Sequence, residues 1–553
     1  MHVFWAALTL TSLAMAQTRV DPRVLSMHPF TGQRGTTLHA KVRGKGLTGA
    51  SGVMTGGAPF QVIVEGIEGE TVKLRIEIAS DAKPGRYPIR LITRNGVSNE
   101  IPVHVSEYAQ QLEPEGTHET SDTAIPVPAM PVAYSGKIAR RGEADYYSFA
   151  AEAGQTLTFE LVSGFPQVAA AGSAATIPNF DPALTIYEPA GSWFDPKRLK
   201  RIAYNDEPVW VIGKPTDAHL LHRFERTGAY LLRIEAFAGQ GGPDYSYSLR
   251  IAKGALPPSW TEGVESSSDD RSWTRRLDET RLAKLAERGG KNDKQPVVET
   301  YRASAEAATV KLPATLEGAL ARPGELHRVR FRVDKPADIA LEFETPGAAP
   351  PFFNPLFRLL GPGGEEVAGN VFAGRGACSG LMTKSLQAKT TLALREAGEY
   401  TVEIREATAD NGAQDFRYRL QIRPQVPHVG RVQFDADAIN LAQGQAKIVH
   451  VSFDREEDYR GAVLVAAEAL PAGISAVAGA DFEAEKDPPQ NVGKRERYTA
   501  RNERIVLVLT AAADAMVSAQ PQEIRLVARP LVDGKPGAVL ATKTIPMMVL
   551  SKQ

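Results

Sequence analysis

Two stretches of the chain share one pattern: "FDPALTIYEPAG" spans Phe180–Gly191, and "FNPLFRLLGPGG" spans Phe353–Gly364. Each begins with an aromatic residue, continues through Asp or Asn and then Pro into a short apolar run, and ends in a glycine-containing turn. A short apolar run bounded by such turn residues is typical of a β-strand. The coincidence suggests that one module is written twice in this chain.

The flanking sequence supports this interpretation, because matching segments surround both stretches in the same order. The matching pairs are "GEADYYSF" from Gly142 with "GELHRVRF" from Gly324, "GAYLLRIEA" from Gly228 with "GEYTVEIRE" from Gly398, and "DYSYSLRI" from Asp244 with "DFRYRLQI" from Asp415. Differences in length are confined to the connections between these segments. The chain therefore contains an internal repeat.

Within the repeat, apolar residues recur at every second position, which places them on one face of a strand. In the first copy these residues are Tyr147 and Phe149, Leu157, Phe159 and Leu161, Leu184 and Ile186, Tyr230, Leu232 and Ile234, and Tyr247, Leu249 and Ile251. Several such strands at short spacing predict an antiparallel β-sandwich. The expected fold class is therefore all-β, with tandem sandwich domains.

The segments "GEADYYSFAAEAGQTLTFEL", "FDPALTIYEPAG", "AYNDE" and "GAYLLRIEAFAGQGGPDYSYSLRI" resemble the bacterial pre-peptidase C-terminal domain. The resemblance covers residues 113–254 well and residues 313–424 as a more divergent copy. It implies jelly-roll-type β-sandwiches of a secreted protein, such as often occur beside proteases. Members of this family are usually non-catalytic and are thought to assist localisation, substrate contact or secretion.

The regions on either side of the repeats also alternate and carry glycine turns. Residues 20–107 are similar to the immunoglobulin-like domain called IPT or TIG, and residues 425–551 predict another immunoglobulin-like sandwich. The residues that match the IPT or TIG pattern are Pro29, Gly32, Gly35, Gly44, Gly46, Leu47, Gly96 and Ser98. Such residues shape the backbone, so the match predicts a fold and no chemistry.

Between the two copies, residues 255–312 are polar and charged. The few apolar residues of this region are Trp273, Leu277, Leu282 and Leu285. This composition predicts a linker with one short helix. The helix is expected to be capped near Asp269 or Asp270 and to end at Gly289-Gly290. Packing of this helix on a neighbouring domain is favoured over a mobile linker. We therefore predict that the two copies of the repeat form separate domains at residues 108–254 and 313–424.

The length, the charge and the N-terminal segment of the chain indicate several domains and export. Its 553 residues suggest about four units, and 64 Lys and Arg against 65 Asp and Glu give no global attraction for nucleic acid or an acidic membrane. Residues 1–16 are interpreted as a signal peptide that ends in Ala14-Met15-Ala16. We therefore expect a periplasmic or extracellular protein. The lone Cys378 allows no internal disulfide.

Motifs that mark several common classes of enzyme are missing from the sequence. The chain has no Gly-x-Ser-x-Gly, no His-Glu-x-x-His and no phosphate-binding Gly-Lys-Ser or Gly-Lys-Thr loop. "DAHLLHRF" holds Asp217, His219 and His222, but on a strand the two histidines would point to opposite faces, so a zinc site is not expected. A non-enzyme is the resulting prediction.

Oxygen ligands are the better candidates for a metal. The first copy holds Asp181, Asn205, Asp206 and Asp217 where the family pattern keeps acidic residues. Clustered carboxylates suit calcium, so calcium is the expected cofactor, if any. The second copy has Asn354, Asn370 and Val371 at the corresponding places, which confines the predicted site to the first copy. The alternative is that Asp181 and Asp206 cap turns.

Aromatic residues of the first copy offer a candidate recognition surface. Trp193, Tyr204 and Trp210 fall in loop-like stretches, where rings can stack on sugars or peptide side chains; alternatively, either Trp covers an end of the core. We therefore expect an exported, non-catalytic binding or structural protein that recognises an extracytoplasmic polypeptide or glycan. An accessory component of a secreted protease system is the alternative, followed by a hydrolase with an unrecognised active site.

Overall fold

The computed structural model describes residues 19–164, 180, 182–191, 195, 198–205, 218–236, 239–256, 273–291, 294–348, 350, 353–375, 382–477, 479–481 and 501–552. Strands make up 56% of the structure and helix 3%, so the predicted all-β fold class is confirmed. The described strands form four pairs of packed sheets, which we call the N-terminal domain, the first repeat, the second repeat and the C-terminal domain.

The N-terminal domain packs two sheets with the strand orders β1-β3-β6-β5 and β2-β9-β7-β4, and β8 pairs with β7. Its strands are β1 Arg23–His28, β2 Thr31–Gln33, β3 Thr37–Lys45, β4 Gly52–Met54, β5 Phe60–Glu68, β6 Thr71–Ile78, β7 Gly85–Thr93, β8 Gly96–Val97 and β9 Ile101–Ser106. Alternate residues such as Val42, Leu74 and Leu91 are fully buried between the sheets.

The first repeat packs the sheets β10-β12-β19-β14-β17 and β11-β13-β18-β15-β16. Its strands are β10 Gln110–Leu112, β11 Ile125–Pro126, β12 Val132–Lys137, β13 Ala144–Ala151, β14 Thr156–Ser163, β15 Pro182–Pro189, β16 Leu199–Asn205, β17 Ala218–Arg223, β18 Gly228–Ala236 and β19 Ser246–Lys253. A 3₁₀ turn lies at Ser121–Thr123. Tyr147, Leu232 and Leu249 form part of its core, as their alternation predicted.

The second repeat has the same topology, strand for strand. Its sheets run β20-β22-β31-β24-β29 and β21-β23-β30-β25-β26, and β27 and β28 add a separate hairpin. The strands are β20 Glu299–Arg302, β21 Ala308–Val310, β22 Ala314–Ala319, β23 Leu326–Val333, β24 Ala337–Glu344, β25 Pro355–Leu360, β26 Glu366–Gly369, β27 Val371–Arg375, β28 Met382–Leu386, β29 Lys389–Leu394, β30 Gly398–Glu406 and β31 Arg417–Pro424.

The boundary expected at residue 313 therefore lies too late. β20 and β21 fall within the region interpreted as a linker, yet β20 pairs in parallel with β22 and β21 pairs in parallel with β23. Both strands are short, and most of the side chains in β20 are exposed. Their sequences consequently lack the alternation that marks the other strands.

The linker segment packs on the second repeat and on the C-terminal domain. Trp273 is buried in the core of the second repeat, with its ring centroid 5.9 Å from that of Phe343. The helix α1 spans Arg281–Arg288 and ends at Gly289, and its N-cap is Thr280. It therefore begins later than the expected cap at Asp269 or Asp270, which both lie outside the described residues.

The C-terminal domain packs the sheets β32-β34-β38-β36 and β33-β41-β39-β35-β37, and β40 pairs with β39. Its strands are β32 His428–Phe434, β33 Ile439–Ala442, β34 Ala446–Glu456, β35 Val463–Glu468, β36 Ile474–Val477, β37 Gly479–Asp481, β38 Arg501–Ala511, β39 Gln522–Val532, β40 Lys535–Pro536 and β41 Ala541–Leu550. In the part of the chain that the structure describes, no helix is long and apolar enough to cross a bilayer.

Contacts between the N-terminal and C-terminal domains include the Asn440 side chain, an apolar cluster and an ion pair between Lys447 and Asp21. The Val97 amide donates to Asn440 Oδ1 at 2.8 Å, and Asn440 Nδ2 donates to the Val97 carbonyl at 2.9 Å. A Cβ on Gly96 would lie 2.1 Å from Asn440 Oδ1, so glycine is required there. Val97 also packs with Met548 and Leu550. The two ends of the chain are thus joined.

A buried ionic cluster joins the second repeat to the C-terminal domain. Arg423 donates to both carboxylate oxygens of Glu457 at 2.7 Å and also to Glu342. Lys389 lies 2.5 Å from Glu457 and 3.8 Å from Glu342. The linker helix adds Arg281, whose Nε lies 3.2 Å from Glu342. The side chains of four members are fully buried, namely Arg423, Glu457, Glu342 and Lys389. Each of these buried charges is stabilised only by the opposite charges around it.

Candidate binding cleft between the first two domains

The predicted calcium ligands are only partly within the described residues. Asp181, Asp206 and Asp217 lie outside them, so the calcium site stays a prediction. Asn205 ends β16, and its Oδ1 accepts a hydrogen bond from the His219 amide at 3.1 Å. Among the described residues, no group of three or more His, Cys, Asp or Glu could hold a metal.

The asparagine at the corresponding place in the second repeat has a similar role. Asn370 is fully buried, its Oδ1 accepts from the Phe357 amide at 2.9 Å, and its Nδ2 donates to the Pro355 carbonyl at 2.9 Å. In both repeats the side chain therefore bonds to the backbone of a neighbouring strand. This contact gives Asn205 a structural role that does not depend on a metal.

The predicted aromatic surface is represented by Tyr204 alone, since Trp193 and Trp210 lie outside the described residues, as does Cys378. Tyr204 is 43% exposed on β16, the last strand in the order of its sheet. The Arg201 guanidinium carbon lies 5.6 Å from the centroid of its ring, which is a cation–π distance. An exposed ring beside a cation remains a candidate contact surface.

The two histidines of β17 have separate surroundings. His219 Nε2 donates to the Leu256 carbonyl at 3.0 Å, whereas the ring of His222 packs on Phe224 at a centroid distance of 4.7 Å. Burial lowers the pKa of both rings. The two rings therefore have different contacts, one with a backbone carbonyl and the other with an aromatic ring.

A cavity that sequence reasoning did not identify lies between the N-terminal domain and the first repeat. Its volume is about 80 Å³. The N-terminal domain lines it with side chains from β2, β7 and β9, and the first repeat lines it with β10, β14 and β19. Its polar and charged lining residues include Thr31, Arg86, His104, Glu107, Tyr108, Gln110, Glu160 and Arg250. We call this cavity and its opening the interdomain cleft.

Contacts between the two domains hold the walls of the interdomain cleft together. Asp244 Oδ1 accepts hydrogen bonds from Ser26 Oγ at 2.6 Å and from Arg43 Nε at 2.9 Å. Val162 from the first repeat packs into the core of the N-terminal domain. An ion pair and an apolar contact thus fix one domain against the other, and the cleft is formed before any ligand arrives.

Strand pairing positions the polar side chains of the interdomain cleft. β2 pairs in parallel with β9, which places Thr31 opposite His104. On the other wall, β14 pairs with β19 and places Glu160 opposite Arg250. Arg250 Nε lies 2.9 Å from Glu160 Oε2, and Glu160 is buried. Each pair therefore meets across neighbouring strands of one sheet.

The histidine of the interdomain cleft is neutral at physiological pH. Burial, together with the nearby charge of Arg86, lowers the pKa of His104 to about 3. A neutral imidazole has one nitrogen that donates and one that accepts. At the connection between the domains, burial and Glu107 raise the pKa of Tyr108, so this phenol is also neutral.

Three residues that line the cleft contain a buried polar atom without a hydrogen-bond partner among the described residues: Thr31 Oγ1, His104 Nε2 and Gln110 Oε1. Leaving a buried donor or acceptor unpaired costs about 1–3 kcal/mol. Such groups are rare in folded proteins and call for an explanation. A ligand that supplies their missing hydrogen bonds is one physical explanation for this grouping.

A second polar cluster is buried inside the first repeat. Tyr247 donates to Asp145 Oδ2 at 2.8 Å and shares a hydrogen bond of 2.9 Å with Tyr147. Burial, with Glu113 close by, raises the pKa of Asp145 to about 8. In the second repeat His327 stands in place of Asp145 and bonds to Tyr418 at 2.8 Å. The cluster lies within one core and lines no described cavity.

No protein-family model matches the chain, and no curated protein matches it either. Solved structures that match part of the chain include a pre-peptidase C-terminal domain of collagenase from Bacillus anthracis. It is 14% identical, with a TM-score of 0.16, and the match covers 24% of this chain and 100% of that domain.

Two further matching structures come from Bacteroides ovatus and Methylomicrobium album BG8. SGBP-B from a mixed-linkage glucan utilisation locus of Bacteroides ovatus, solved with a mixed-linkage heptasaccharide, is 10% identical, with 72% of this chain and 74% of that chain covered and a TM-score of 0.15. CorA, a surface-associated copper-binding protein of Methylomicrobium album BG8, is 7% identical, with 27% and 98% covered and a TM-score of 0.17. At these values the likenesses say nothing of what this chain binds.

Proposed function

We propose that this chain is an exported, non-catalytic binding protein whose ligand, an extracytoplasmic polypeptide or glycan, occupies the interdomain cleft. The observation that carries the proposal is the grouping of Thr31, His104 and Gln110, whose buried polar atoms lack partners, around one cavity. Binding sites are common at domain interfaces, where two surfaces form a concave wall.

The domain contacts support a binding role because they make the cleft rigid. Ser26 and Arg43 hold Asp244 across the first interface, and Asn440 holds Val97 at the interface with the C-terminal domain. A preformed site loses less conformational freedom when a ligand binds, which favours affinity. The outer surface of the domains, such as the exposed part around Tyr204, is available for further contacts.

Capture of ligands by the immobilised chain tests the proposal. Residues 17–553 would be incubated with the periplasmic fraction and the culture medium of the producing bacterium, and the captured material analysed for polypeptide and carbohydrate. We expect a Thr31→Val/Gln110→Ala double variant to capture less than the parent. Gln111→Ala is the matched control, because Gln111 is the exposed neighbour of Gln110 on the same strand. Equal capture by the parent and the double variant would exclude the cleft.

The non-catalytic and exported parts of the proposal have their own tests. Screening the purified chain against protein, ester and glycoside substrates should give no turnover. Turnover that a single-residue change abolishes would establish an enzyme instead. Mass spectrometry of the N-terminus should find a chain that begins at Gln17, whereas a mature chain that begins at Met1 would contradict export with cleavage.

A further inference from the structure

We propose that the interdomain cleft binds the terminal sugar unit of a neutral glycan. This inference rests on the proposed binding function and specifies its ligand. Three properties of the cleft lead to it, namely the charge of the lining, the chemistry of the unpartnered atoms and the size of the cavity.

The charges around the interdomain cleft cancel. Arg86 and Arg250 are matched by Glu107 and Glu160, and Arg250 and Glu160 pair directly across the sheet. His104 adds no charge at neutral pH, because its pKa lies at about 3. A charged ligand, such as a phosphate, a sulfated sugar or a peptide terminus, would have to be desolvated without a net opposite charge to meet it. The lining consequently favours a neutral ligand.

The unpartnered atoms require a ligand that both donates and accepts hydrogen bonds. Gln110 Oε1 can only accept, the Thr31 hydroxyl can do both, and the nitrogens of neutral His104 divide the two roles between them. An apolar ligand would leave all three atoms unsatisfied. Sugar hydroxyl groups donate and accept at once, so a polyhydroxylated ring meets this mixed set.

The arrangement of these atoms favours a sugar over an extended peptide. A peptide that adds to a sheet binds through a continuous row of backbone groups at one strand edge. The three side-chain atoms come instead from the strands β2, β9 and β10 of two domains, so they do not follow one strand edge. Hydroxyl groups around a ring point in several directions, which suits a convergent set of side chains.

The size of the cavity limits the ligand to one end of a glycan. A volume of about 80 Å³ is well below the roughly 300–1,000 Å³ of common small-molecule sites. It accommodates the polar edge of one sugar ring, and the next units would lie in the opening between the domains. At the ligand efficiency of drug-sized molecules, one sugar unit corresponds to a Kd of about 1 mM.

Saturation-transfer NMR with four neutral probes, namely maltohexaose, cellohexaose, laminarihexaose and xylohexaose, tests this inference on residues 17–553. We expect at least one probe to receive saturation, most strongly at a terminal sugar unit, and to bind with a Kd of about 1 mM. Thr31→Val and Gln110→Ala should each raise that Kd about tenfold, as the loss of one hydrogen bond requires. Thr31→Ser, which keeps the hydroxyl, and Gln111→Ala should bind like the parent.

Several results would overturn the inference. They are an absence of saturation for all four probes, saturation centred on internal units, or a Kd that Thr31→Val and Gln110→Ala leave unchanged while their melting curves match the parent. Capture of a polypeptide that depends on Thr31 and Gln110, without binding of any probe, would refute the glycan ligand and leave the proposed binding function standing. Loss of both kinds of binding would refute the two proposals together.

Discussion

The ionic cluster between the second repeat and the C-terminal domain allows a quantitative prediction. Arg423→Met keeps an unbranched apolar stem but removes the cation that contacts both Glu342 and Glu457. All three side chains are fully buried, so the change leaves two carboxylates with fewer cations in a dry environment. Removing one partner of a buried ion pair costs about 3–5 kcal/mol. We expect a loss of this size in the free energy of unfolding of the second repeat.

The pKa of Glu457 shows the same dependence on the surrounding cations. Burial alone would raise it, but Arg423 and then Lys389 outweigh burial and hold the pKa at about 2, compared with 4.5 for an isolated carboxyl. A depression of this size corresponds to about 3 kcal/mol of stability at neutral pH. Because the folded pKa is depressed, this stability is present above about pH 4.5 and is lost as the pH falls towards 2.

Hydrogen exchange followed by mass spectrometry measures the effect locally, in peptides from β24 and β31. A loss of about 3 kcal/mol should speed exchange there about 100-fold at pH 7. The matched control is Arg419→Met on the same strand, because Arg419 is 37% exposed and its pairs with Glu317 and Glu344 should contribute about 1 kcal/mol or less. Equal exchange in Arg423→Met and Arg419→Met would refute the reasoning.

Three further predictions concern other parts of the molecule. Asp145→Asn should raise the melting temperature at pH 9 and reduce the decline in melting temperature between about pH 4 and 8. The reason is that the pKa of Asp145 is raised to about 8, so in this range the folded state holds a proton that the unfolded state has lost. A melting temperature with an unchanged dependence on pH would contradict this prediction. Asn440→Ala should cost about 1–3 kcal/mol and speed exchange of the Val97 amide, since both backbone groups of Val97 lose their partner. Calcium should raise the melting temperature of the parent chain and less so that of Asp206→Asn, and identical curves for the parent with and without calcium would leave the acidic residues as turn caps.

The layers of the fold were predictable because they depend on local periodicity. Tyr147, Leu232 and Leu249 belong to sets of apolar residues that recur at every second position, and they are fully buried in the structure. Side chains of a strand point to opposite faces in turn, so a period of two alone determines which face is buried. The repeated landmarks then predicted a second domain, and the two copies indeed share one strand order.

The interdomain cleft was not predictable, because no local pattern marks it. His104 belongs to β9, in which five consecutive residues are buried, so the strand resembles an ordinary core strand. Thr31 and Gln110 lie in three-residue strands of two different domains. Only the contact between the domains brings the three residues together. A polar residue within a buried run was the one available signal, and a single histidine of this kind is more often structural than functional.

The two copies of the repeat differ at the sheet face that lines the interdomain cleft. In the first repeat, Glu160 faces Arg250 on the neighbouring strand, so its charge is balanced within the sheet. In the second repeat, the corresponding Glu342 faces Gln421, which has no charge. Its compensation comes in part from Arg275 and Arg281 of the linker, and the rest comes from Arg423 and Lys389 of the second repeat itself. In the second repeat this sheet face thus depends partly on the linker that covers it, whereas in the first repeat Arg250 balances Glu160 within the sheet and the face lines the interdomain cleft.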